Sequence, residues 1–193
     1  MLRPGQLPIL IVNVLALLGF TAFFLFQKNY EFMLYIVVII LLGGLILYST
    51  KWVQYPNGVL WLLTAWAIGH MAGGSLPVGD GVLYTWILVD LVGEPYNILK
   101  YDQVIHMYGF FVAALVMYVV LKPHLKPKGW AAIGLVVIMA SLGLGAMNEI
   151  VEFIATIISP DNGVGGYHNT ALDLVADLLG AVLGWIYIKC SGM

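Results

Sequence analysis

The chain has 193 residues, of which 62% are hydrophobic and 9% charged, with a mean hydropathy of +0.97. Soluble domains are nearer half apolar and a quarter charged, so this much apolar surface requires lipid as its solvent. The composition excludes a nucleic-acid-binding module, a disordered tail and an ordinary cytoplasmic enzyme, while the net charge of -2 says little about partners and the single cysteine, Cys190, excludes an internal disulfide.

A helix needs about 20 apolar residues, at 1.5 Å rise each, to cross roughly 30 Å of hydrocarbon. The first such run, Leu7–Phe26, is too long for a signal peptide and is followed by no small-x-small cleavage site, so it reads as a membrane span. Phe32–Ser49 and the shorter Val59–Ser75 come next. Residues 76–100 form the one long connection, punctuated by Gly79-Asp80-Gly81, Glu94-Pro95 and Asn97. Within it Val82–Val92 is apolar but too short to span, and reads as a short helix lying in the interface or dipping into it. Tyr101–Leu121, Trp130–Ile158 and Thr170–Ile188 complete the set, and the length of the fifth predicts tilt or a kink near Gly143 and Gly145. No repeat or linker marks a second domain. The expected fold is all-α: a polytopic bundle of about six transmembrane helices, forming a single transmembrane domain over residues 1–193.

Basic residues set the expected direction. With six spans, Arg3, Lys51, Lys122, Lys126, Lys128 and Lys189 share the side of the termini, and only Lys28 and Lys100 fall opposite. That side is therefore expected to be cytoplasmic, in a cytoplasmic (inner) membrane. Glu31, Asp80, Asp90, Glu94 and Asp161 then lie outside.

The chemistry is carried by charges placed where lipid should be. Of the ten acidic residues, Asp102, Glu149, Glu152, Asp173 and Asp177 fall inside spans, joined by His70 and His106, whereas none of the eight basic residues does. A buried carboxylate is costly unless partnered. Without Lys or Arg, the partners left are a proton, a pocket of water or a metal cation. Counted at 1.5 Å per residue, all seven groups sit in the outer half of the membrane, His70, His106, Glu152 and Asp177 about 7–11 Å deep. Asp102/His106 and Asp173/Asp177 are i,i+4 pairs and Glu149/Glu152 is i,i+3, so each pair shares one helix face. Carboxylate and imidazole pairs on facing helices are how bundles hold metal ions.

Simpler roles compete at several positions. His70, in Gly69-His-Met-Ala-Gly-Gly74, reads by itself as a histidine bonded to a carbonyl across a close helix contact. Asp173 also fits as a helix-dipole charge, and Asn169 or Thr170 as the cap of the sixth helix, with His168 at the rim. Gly180 and Gly184 read as packing contacts, and His124 as a solvated loop residue. Glu149 and Glu152, in Asn148-Glu-Ile-Val-Glu152, have no comparable structural explanation.

In order, His-Met-x-Gly-Gly, Tyr-Asp-x-x-x-His, Asn-Glu-x-x-Glu and Asn-Thr-x-x-Asp-x-x-x-Asp-x-x-Gly resemble the motifs of the YjdF-like family of small bacterial inner-membrane proteins, and more distantly the VanZ-like proteins. The resemblance covers about residues 60–185, most specifically Tyr101–His106 and Asn148–Glu152. It implies a compact multi-span membrane protein and supplies no mechanism. Intramembrane prenyltransferases share the paired acidic motifs but have more spans and a cytoplasmic-side site. Histidine-nucleophile lipid phosphatases need arginines beyond Arg3, intramembrane aspartyl proteases need Gly-x-Gly-Asp, and CDP-alcohol transferases need an Asp-Gly-x-x-Ala-Arg element absent here.

The expected function is a metal-dependent hydrolase or transferase facing membrane lipid and acting on a lipid-like substrate. His70, Asp102, His106, Glu149, Glu152, Asp173 and Asp177 are the expected ligands, with Glu149, Glu152 and His106 as catalytic candidates. Mixed imidazole and carboxylate ligands favour zinc, iron or manganese, with magnesium as the alternative. A cation or proton-coupled transporter or sensor using the same acids is the competing expectation, and a structural metal site the third.

Overall fold

The computed structural model describes residues 2–125, 129–158 and 166–193, with Tyr30 and Glu31 as backbone only. Lys126, Lys128, Asp161 and the Glu31 side chain therefore lie outside the described residues. Six α-helices follow in chain order: α1 (Gln6–Gln27), α2 (Tyr30–Ser49), α3 (Asn57–Ser75), α4 (Tyr101–Leu121), α5 (Trp130–Ile158) and α6 (Tyr167–Ser191). They match the six apolar runs to within three residues at each end. Lipid offers no partner to a bare N–H or C=O, so an apolar run becomes helix to satisfy its own backbone. Pro8 is accommodated because it falls in the first turn of α1, where its missing N–H would be unpaired anyway. Among the described residues, five helices are long and apolar enough to cross a membrane. The sixth, α3, has 19 residues diluted by Thr64, His70 and several glycines.

The chain forms two compact units, Met1–Trp86 and Ile87–Met193. In the first, α1 packs on α3 and α2. Phe24 is buried against Phe20 and Phe32, and Asn13 Nδ2 donates to Thr64 Oγ1 at 2.6 Å, tying α1 to α3. A two-residue hairpin follows α3, with β1 (Pro77–Val78) antiparallel to β2 (Gly81–Val82).

The interfacial helix expected over Val82–Val92 is corrected to one 3₁₀ turn, Leu83–Thr85. From Ile87 the backbone folds back on itself: the Leu88 N–H donates to Leu99 O at 3.0 Å and the Ile98 N–H to Val92 O at 3.2 Å. An 11-residue segment bounded by Gly81, Gly93 and Pro95 is too short to repay helix nucleation, and cross-pairing satisfies its backbone instead.

In the second unit α4 packs most extensively on α6, and α5 packs on both. The close approach follows from two glycines. A Cβ on Gly180 would strike the Met107 carbonyl oxygen, and one on Gly184 would press on that of Phe111, so both are packing contacts as expected. Val112, Ala114, Val137 and Ala181 are fully buried around this seam. Ser141 Oγ donates to Phe110 O at 2.8 Å between α5 and α4. Such interhelical bonds contribute about 0.6 kcal/mol each in membranes, so the tight α4–α6 seam carries more of the stability than they do. The helix α5 runs unbroken past Gly143 and Gly145.

Candidate metal centre

Asp102 and His106 lie in the first two turns of α4, Asp173 and Asp177 in the first half of α6, and Glu149 and Glu152 near the end of α5. Alternating helix direction brings these segments to the same end of the second unit. There the six side chains converge. Asp173 and Asp177 are fully buried, His106, Glu149 and Glu152 are buried, and Asp102 is half-buried.

His106 is the hub. Its Nδ1 lies 3.0 Å from Asp177 Oδ1 and 3.9 Å from Glu149 Oε1. Its Nε2 lies 3.8 Å from Asp102 Oδ1 and 3.9 Å from Glu152 Oε1. An ionised carboxylate only accepts, so the bond to Asp177 places a proton on Nδ1, and the neutral ring then carries its lone pair on Nε2. A carboxylate bonded to the far ring nitrogen in this way orients a metal-bound imidazole. Two sets of ligand atoms, Asp102/His106/Asp173 and His106/Glu149/Glu152, each lie within 4.8 Å of one another. Ligands around a tetrahedral ion with bonds near 2.1 Å stand about 3.4 Å apart, so the Nε2 contacts need to close by about half an ångström.

Two amides complete the site. Asn169 Nδ2 donates to Asp102 Oδ2 at 3.1 Å and to Asp173 Oδ2 at 2.5 Å, bridging α4 and α6. Asn148 Nδ2 donates to Glu152 Oε1 at 2.9 Å. Both oxygens of Glu149, Asp173 Oδ1 and Asp177 Oδ2 are buried without a hydrogen-bond partner. Buried lone pairs of this kind are costly. Among the described residues no Lys or Arg pairs with these carboxylates. Chemically, the site is an acceptor-rich pocket with one imidazole nitrogen, suited to a cation. Gly145 lets it form, because a Cβ there would collide with the Asp177 carboxylate.

The amides are the functional residues that sequence reasoning misses. The i,i+4 rule that groups the acids also pairs Asn169 with Asp173 and Asn148 with Glu152, and would have found both. The capping role expected of Asn169 or Thr170 is corrected: α6 begins at Tyr167 after Gly166 and has no side-chain cap, and Asn169 turns its amide to the acids instead. Asp173, the seventh residue of α6 and fully buried, is likewise no first-turn dipole charge.

His70 belongs to the first unit. The Tyr84 hydroxyl lies 2.6 Å from its Nδ1 and donates to its backbone carbonyl at 2.8 Å. One hydroxyl has one hydrogen, so both bonds together require Nδ1–H and put the ring's lone pair on Nε2. Trp66 stacks on the ring and Tyr35 meets it edge-on. His168 is exposed between the rings of Tyr96 and Tyr167, and His124 is exposed in the loop after α4.

A family described as predicted membrane protein (DUF2238) matches residues 7–191. A protein of Thermotoga maritima described as uncharacterized is 39% identical over 88 residues, which make up 44% of this chain and 45% of that protein. The chain thus aligns with less than half the length of this relative. No solved structure matches.

Proposed function

The chain belongs to the predicted membrane protein family DUF2238, and we propose that it is a multi-pass membrane enzyme whose His106–carboxylate cluster holds one or two divalent ions and acts on a lipid-like substrate. The observation that carries the reading is the convergence of five carboxylates on one imidazole, with several oxygens left without a donor. Zinc, iron or manganese suits this ligand mixture better than magnesium. In this reading His106 offers Nε2, Asp102 and Glu152 flank it, and Asp173 extends the site. Asp177 holds the ring. The bound ion would polarise an ester or phosphate and acidify a water. Glu149, buried with neither oxygen accepting a hydrogen bond, is the carboxylate that takes a proton. Kinship with the YjdF-like proteins, an inner-membrane location and a cytoplasmic placement of the termini are part of the same reading.

The test is metal-dependent release of headgroup or phosphate from mixed phospholipid vesicles by the purified protein. Glu149→Gln should cut the rate by about 100-fold or more while the ion stays bound, as expected for loss of a general base. Metal-loaded protein inert on both carboxylic and phosphate esters would end the enzyme reading. For orientation, in a Cys190→Ser background, a cysteine at Asp80 should be labelled from outside by an impermeant reagent and one at His124 should not. The opposite pattern reverses the assignment.

A further inference from the structure

At the other end of the second unit, where α4 ends, α5 begins and α6 ends, an open cavity of about 610 Å³ is lined by apolar and cationic side chains. Tyr118, Ile133 and Ile188 form its buried floor. Lys122, Lys189 and Trp130 stand exposed around it, and no acidic side chain is among its lining residues. The floor is held in place from behind: Trp185 is buried on Gly134 and meets both the Tyr118 and the Trp130 ring. The Tyr118 hydroxyl donates to Met193 O at 3.1 Å, and Lys122 Nζ lies 5.9 Å from the Tyr118 ring centroid.

We propose that this cavity is a binding site for an acidic phospholipid, whose phosphate headgroup lies between Lys122 and Lys189 while the upper part of an acyl chain covers Tyr118, Ile133 and Ile188. Three observations converge. The volume falls in the range of about 300–1,000 Å³ usual for small-molecule sites. The lining pairs an apolar floor with two exposed lysines, which is the chemistry of a headgroup joined to a chain. The depth also agrees: sixteen residues of α4 separate His106 from Lys122, about 24 Å at 1.5 Å per residue. With the carboxylate cluster inside one half of the membrane, the lysines then fall at the opposite headgroup layer, beside the aromatic ring of Trp130 that favours it. Basic pockets between helices at that level recognise anionic headgroups. The site is separate from the metal reading and stands without it.

The test uses the full chain in detergent, with native mass spectrometry counting bound phosphatidylglycerol against phosphatidylcholine. Phosphatidylglycerol should bind preferentially, and Lys122→Gln with Lys189→Gln should weaken it roughly 5-fold each and roughly 25-fold together. Lys122→Arg with Lys189→Arg should keep the preference, which separates loss of charge from loss of fold. Lys28→Gln and Lys51→Gln, at other exposed lysines, should leave it unchanged. Equal binding of the two lipids or full preference in the double Gln variant would each overturn the assignment.

Discussion

Replacing His106 by Ala should lower the affinity of the purified protein for zinc or manganese by more than about 100-fold. It removes the one imidazole among the clustered groups, and with it the hub that Asp102, Glu149, Glu152 and Asp177 all face. Asp177→Asn should cost less, about 10–100-fold, because it disturbs the ring's orientation and tautomer and leaves Nε2 in place. The order of the two losses is the informative result. Calorimetric titration in detergent reads both. If Asp177→Asn proves as damaging as His106→Ala, Asp177 is itself a ligand. If neither changes affinity, the ion binds elsewhere.

Gly180→Leu should be the most damaging single substitution away from the charges. At Gly180 even a Cβ would overlap the Met107 carbonyl oxygen, and a backbone atom cannot rotate aside. Overpacking of side chains usually costs about 1–3 kcal/mol, and forcing two helix backbones apart should reach or exceed the upper end. That corresponds to a fall of roughly 6–12 °C in Tm for a two-state chain of 193 residues. Gly143→Leu is the control: nothing lies within 4 Å of a Cβ there, and its better helix propensity should leave stability unchanged or slightly higher. Equal Tm values for the two variants would contradict the α4–α6 seam.

The six helices were legible because a run of apolar residues in lipid has one economical way to satisfy its backbone. Grouping Asp102, His106, Glu149, Glu152, Asp173 and Asp177 was legible because i,i+3 and i,i+4 spacing fixes a common face and helix length fixes depth. Periodicity fails where no helix forms. Val82–Val92 has the composition of an interfacial helix, yet its fate is decided by cross-pairing with residues near Leu99, which composition does not encode. Asn169 is ambiguous in sequence because an asparagine near a helix start caps as readily as it donates to acids a turn away. The bond from Tyr84 to His70 joins residues fourteen apart through an irregular loop, beyond any local rule. Lys122 and Lys189 reported only membrane direction until the helix ends around them formed a cavity.

Glu152 shows why the metal is the central question. It is buried beside His106 and accepts a bond from Asn148, in a cluster of carboxylates that, among the described residues, no Lys or Arg pairs with. The direct measurement is elemental analysis of protein purified without chelator, beside the Glu149→Gln/Glu152→Gln double variant and the exposed Asp80→Asn control. Wild type and Asp80→Asn should carry about one or two divalent ions per chain, the double variant should carry far less, and a chelator should lower the Tm of the first two alone. Wild-type protein that binds none of zinc, iron, manganese or magnesium and keeps its full Tm in chelator would contradict the account, and would pass the cluster to a protonated, transport-like role.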